Sequence, residues 1–151
     1  MNNYDFYDMY REVNELSELN KLFTTLISEK INVMNYVTNV VIDTKPTLKD
    51  TLNDILYQID DSIEVVKDLI KIKKGYPIYK LSDIELTSSI KTHVSQEYKE
   101  GSIIDNIKKE INILLSLINE IIKKLNITIN YETITALSNI SFNLKKILLD
   151  I

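Results

Sequence analysis

Seven apolar residues, Leu48, Leu52, Ile55, Ile59, Ile63, Val66 and Ile70, step along the chain by 4, 3, 4, 4, 3 and 4. Ile103, Ile107, Ile111, Leu114, Ile118, Ile121 and Leu125 repeat the pattern with steps of 4, 4, 3, 4, 3 and 4. The mean step, about 3.7 residues, is close to one α-helical turn. A chain with this period folds into long amphipathic helices that bury their stripes against one another. The two stripes do not resemble each other outside their apolar positions, so amphipathic periodicity explains the match without an internal repeat.

The composition agrees with a few long elements. Gly and Pro, two of each in 151 residues, offer few places to break a helix. Hydrophobic content of 44% with 26% charged residues is the balance of a globular chain, long enough for one domain over residues 1–151 with a real core. The chain has no Cys, which excludes disulfides and Cys-ligated zinc or iron–sulfur centres. Seventeen Lys stand beside one Arg (Arg11) and one Ala (Ala136), with abundant Ile and Asn. That bias is the codon signature of an AT-rich genome: a low-GC bacterium, a phage or a virus. The polar, acidic start Met1-Asn2-Asn3-Tyr4-Asp5 lacks the features of a signal peptide, and no apolar stretch is long enough to span a membrane. A cytoplasmic location is the expectation.

The first segment, about Asn3 to Ile42, reads as a helix roughly 60 Å long. Its stripe is Met9, Val13, Leu16, Leu19, Phe23, Leu26, Ile27, Ile31, Met34, Val37 and Val41. The Asn-rich, β-branched stretch near Asn32 to Asn39 predicts a kink or break. Pro46 marks a break, and Thr47 with Asp50 resembles a capping box opening a helix to about Lys74, with Gly75 as its C-terminal cap. After the linker around Pro77, Ser82 with Glu85 opens a weak helix to about Tyr98, the most mobile element expected. Gly101 ends it, and Ser102 with Asp105 caps the helix that reaches Leu125. Residues 126–130 form a loop, and a last helix runs from about Tyr131 to Ile151. The predicted fold is all-α: an antiparallel bundle of four main helices plus one short helix, with coiled-coil-like packing.

Motifs for chemistry are sparse. His93 is the single histidine, without the Glu-x-x-His pairs of a di-iron bundle, and reads as an exposed helical residue. Two isolated glycines cannot build a phosphate loop. The acidic groups Asp60, Asp61, Glu64 and Asp5, Asp8, Glu12 read as solvated helix faces. No catalytic residue, metal ligand or cofactor site is nominated, and an enzyme is not expected.

The unusual local feature is Tyr4-Asp5-Phe6-Tyr7-Asp8-Met9-Tyr10. Its aromatics point in several directions on a helix, more than one intramolecular groove can bury. Tyr4, Phe6, Tyr7 and Tyr10, with Met34, Val37 and Val41 on an overhanging first helix, are the candidate partner-binding residues. The expected function is a non-enzymatic protein–protein interaction module, as adaptor, inhibitor or chaperone. Its partner would be another protein or a second copy, most simply in a homodimer. The alternative is a nucleic-acid-associated regulator using the Lys cluster around residues 71–80, although a net charge of −4 disfavours nucleic acid as a partner.

Overall fold

Both regular stripes are buried as their period requires. Leu52, Ile59, Val66 and Ile70 on one helix and Ile103, Ile107, Ile111, Leu114 and Ile118 on the other are inaccessible to solvent. The computed structural model describes residues 3–41 and 47–151, with side chains described from residue 14 onward. Among these, the helices are α1 (Asn3–Asn39), α2 (Thr47–Ile72), α3 (Leu81–Thr87), α4 (Glu100–Lys124) and α5 (Tyr131–Asp150). Two short strands, β1 (Val40–Val41) and β2 (Tyr98–Lys99), pair in parallel, Val40 with Tyr98 and Val41 with Lys99.

The four long helices form the expected all-α bundle. Contacts that reverse along the chain fix its directions: Lys30 meets Asp60 and Glu15 meets Lys73, so α1 and α2 are antiparallel. Tyr36 meets Glu110 and Glu18 meets Lys124, so α1 and α4 are antiparallel as well. It follows that α2 and α4 run in the same direction. The connection between them, residues 75–99, therefore travels back along the bundle, and it does so against α1.

That crossover corrects three expectations. The weak helix ends at Thr87, and residues 88–97 form an extended strap instead of continuing helically to Tyr98. Thin apolar content left no stripe to bury, and Ile90 alone of this stretch is buried in the core. The strap is also tied down along its length. The Asn32 amide donates to the Lys91 carbonyl at 3.0 Å, and its oxygen accepts the His93 N–H at 2.9 Å. The Asn35 amide reaches the carbonyls of His93 and Val94, and Thr25 Oγ1 accepts the Ser89 N–H. Further back, Asn20 bonds Ile78 N–H and Tyr76 O.

The asparagines that predicted a break in α1 are thus backbone partners for a neighbouring segment, and α1 is one unbroken helix of 37 residues. Its buried row also differs from the apolar reading. Beyond Leu26 the core face passes through Glu29, Val33 and Tyr36, whereas Ile31 and Met34 are exposed.

The helix ends depart from the capping expectations in detail. Neither Ser82 nor Ser102 caps a helix: α3 and α4 begin after Lys80 and Lys99, with no side-chain cap, and Gly101 lies inside α4. At the end of α2, Lys74 takes the left-handed conformation (φ 62°) and Gly75 N–H bonds Ile70 O at 2.9 Å. Gly75 is closely packed: a Cβ there would lie 3.3 Å from Ile70 O and would force the end of the Leu16 side chain to shift. Residues 126–130 are a turn, as expected, closed by Asn126 Oδ1 accepting Thr128 N–H.

Asn32→Ala removes partners from two backbone groups of the strap at once. We expect a loss of about 1–3 kcal/mol in urea unfolding, with faster hydrogen exchange at the His93 amide.

Candidate functional site

Continuing the core row of α1 leads from Leu22 and Leu26 to Glu29, then Val33 and Tyr36. The row of α4 runs Ile103, Ile107, Glu110, Leu114. Helical spacing therefore aims two glutamates into the bundle from antiparallel helices. Glu29 is wholly buried and Glu110 is 5% exposed. Taking a carboxylate out of water is costly unless it is neutralised or well bonded.

Glu110 is the bonded one. Its Oε1 accepts the Tyr36 O–H at 2.5 Å and lies 3.0 Å from His93 Nε2. The strap supplies His93, and β2 supplies Tyr98, whose ring meets Tyr36 edge-on at 5.2 Å. Tyr98 O–H in turn bonds the Val94 carbonyl at 2.7 Å, holding the strap's curve. Asn106 of α4 also bonds Tyr36. Burial first, and then the hydrogen bond to Glu110, hold the Tyr36 phenol protonated far above its usual range.

Glu29 has a different environment. No hydroxyl, amide or cationic group bonds either of its oxygens, and Glu110 Oε2 likewise has no such partner. Desolvation first, and then the neighbouring Glu110 carboxyl, pushes the Glu29 carboxyl well above its ordinary value of 4.5. A groove of about 200 Å³, lined by Ile90, Lys91, His93, Asn106, Glu110 and Ile113, opens beside the pair. His93, with 38% of its side chain exposed, lines this groove together with Glu110. The lone histidine is thus neither helical nor simply solvated.

Neither glutamate was nominated from sequence. A signal was present for Glu29, which sits in the buried row between Leu26 and Val33; Glu110 stands beside an unbroken apolar stripe through Ile107, Ile111 and Leu114 and left no gap. Of the nominated partner-binding residues, Met34 and Val41 are at the surface, 48% and 36% exposed, while Val37 packs on the core. The side chains of Tyr4, Phe6, Tyr7 and Tyr10 lie outside the described residues.

Two outcomes are expected of this cluster. Tyr36→Phe removes a hydrogen bond to a buried charged group and costs about 1.5–3 kcal/mol in chemical unfolding. The pH dependence follows from Glu29. A carboxyl raised on folding contributes fully below 4.5, and that contribution is lost as pH rises towards its folded value. Stability measured from pH 4.5 upward should fall, this group accounting for up to about 1.4 kcal/mol per pH unit.

No protein-family model matches the sequence, and no curated protein matches it. Solved structures do. The antigen TpF1 from Treponema pallidum superposes with a TM-score of 0.87 at 11% identity, over 93% of this chain and 90% of that one. The Dps protein from Vibrio cholerae O1, described as a member of a broad superfamily of ferritin-like diiron-carboxylate proteins, gives 0.86 at 17% identity, over 93% and 87%. A Dps protein from Bacillus brevis gives 0.83 at 15% identity, over 93% of both chains.

The residues do not fit a di-iron centre inside the bundle. Such centres take a Glu from each of two helices and a Glu-x-x-His from each of the other two. Here α1 and α4 supply Glu29 and Glu110, but the buried residues of α2 and α5 are apolar apart from Ser62, Thr133 and Ser141. Among the described residues no three His, Asp or Glu side chains gather to hold a metal ion.

The likeness overturns the expected adaptor. The long first helix is one wall of a four-helix bundle, packed on α2, α4 and α3, not an overhang awaiting a foreign protein. Of the Lys cluster named for the nucleic-acid alternative, Lys73 turns inward to Glu15 and Asn130, both at 2.9 Å, whereas Lys71, over the Tyr76 ring, Lys74 and Lys80 are exposed. The fold this chain shares is that of the Dps and ferritin-like four-helix bundles.

Proposed function

We propose that this chain is the subunit of a ferritin-like assembly that takes iron as cargo. The observation that carries this reading is full-length likeness, over 93% of the chain, to proteins of which one is described as ferritin-like and diiron-carboxylate. The chain acts as one helical domain over residues 1–151, in the cytoplasm. No described helix is long and apolar enough to cross a membrane.

Surface chemistry supports self-association. Ile31 and Met34 lie one turn apart on α1, 42% and 48% exposed, and Phe142 and Leu149 on α5 are 60% and 86% exposed. Apolar groups of this size favour burial against another copy. Met34, Val37 and Val41, with Tyr4, Phe6, Tyr7 and Tyr10 at the start of α1, are the contact residues we assign to a dimeric building unit of that assembly. Iron is held between assembled subunits or on their surfaces, since the bundle interior lacks the ligands.

The test is the purified chain incubated with ferrous iron in air, then separated by size with iron measured across the profile. We expect a mass several times 17.6 kDa with iron co-eluting. A monomer eluting free of iron contradicts the proposal. Without a di-iron centre in the bundle, ferric colour should develop at a rate near that of buffer alone.

A further inference from the structure

Three carboxyl oxygens inside the bundle, both of Glu29 and Oε2 of Glu110, lack any hydroxyl, amide or cationic partner. Glu29 is wholly buried and Glu110 nearly so, and Glu110 is the acidic neighbour that bears on Glu29. Two ionised carboxylates cannot share a dry interior with no donor for these oxygens; something positive has to accompany them, either a proton or a metal ion. The surroundings distinguish the two. A metal ion needs further donors, and α2 and α5 bring none. His93, the nearest nitrogen donor, is already spent on Glu110 Oε1. A proton needs only the pair.

We propose that Glu29 is a carboxylic acid whose O–H donates to Glu110, and that this shared proton fills the place a metal ion would take, closing the bundle interior to divalent cations. The proton resides on Glu29 because the donors are all on the other side. Tyr36 from α1 and His93 from the strap both serve Glu110, and Asn106 from α4 supports Tyr36. No charged side chain of α2 or α5 is buried against the pair. The arrangement has a structural consequence. Glu110 is the point at which α4, the C-terminal half of α1 and the strap are joined, so the proton on Glu29 keeps that junction from carrying two like charges in a dry interior. The His93 side of the strap is latched without metal.

This inference is independent of the iron reading, because cargo held elsewhere leaves it intact. Its test uses Glu29→Gln, which mimics a neutral carboxylic acid in size and hydrogen bonding but cannot ionise. The whole chain, wild type and variant, is titrated with Mn²⁺ and, without oxygen, with Fe²⁺, and melted across pH 4.5 to 8. The proposal expects equal metal stoichiometry in the two proteins, and a fall of Tm with pH that is shallower in the variant. It is overturned if the variant binds one metal ion fewer per chain, or if its pH profile matches the wild type. A second readout needs no variant. Infrared spectra of wild type labelled with ¹³C at glutamate should retain, at neutral pH, the carbonyl band of a protonated carboxylic acid. Absence of that band overturns the proposal by itself.

Discussion

A connection that must run the length of the bundle, because α2 and α4 point the same way, carries peptide groups that outside α3 have no helix to bond within. Buried or half-buried backbone polar groups require partners, and here α1 provides them. Asn20, Thr25, Asn32 and Asn35 occur along one side of that helix and meet the crossover from Tyr76 to Val94. Asparagine can bond a C=O and an N–H together, as Asn32 does with Lys91 and His93. Residues poor at forming helix are kept in the helix because they satisfy a segment that is not helical. The short parallel pairing of β1 with β2 completes the same arrangement at the end of the strap.

The carboxyl pair depends on this geometry. Only the strap brings His93 to Glu110, and only the unbroken α1 carries Tyr36 and Glu29 to the same depth. At the opposite end of the bundle the polar logic is of another kind. Lys73, Glu15 and Asn130 tie α2, α1 and the start of α5 with a cation, an anion and an amide. One end is neutralised by an ion pair. In the interior cluster, among the described residues, no Lys or Arg pairs with Glu29 or Glu110, which is why its proton count matters.

Much of the fold is legible in the sequence. Stripes of seven apolar residues give α2 and α4, Gly75 follows the end of α2, and Asn126 marks the last turn. What misleads is polarity inside the stripes. Reading only apolar residues steps over Glu29 to the neighbouring row of Ile27, Ile31 and Met34, and so takes the exposed face of α1 for its core. The same habit hides Glu110. The strap is illegible for a different reason: residues 88–97 hold no period because their partners on α1 are side chains 58 to 64 positions away in sequence. The adaptor reading arose from the aromatic cluster of Tyr4, Phe6, Tyr7 and Tyr10 and from taking the first helix to overhang its neighbours.

An iron-soaked crystal of the protein, with anomalous scattering recorded at the iron edge, tests the central claim of a ferritin-like subunit with a metal-free interior. The account predicts iron peaks at contacts between subunits or on the surface of an assembly, and none between Glu29 and Glu110. A peak bridging those two carboxyls, with the His93 ring turned towards it, would contradict it.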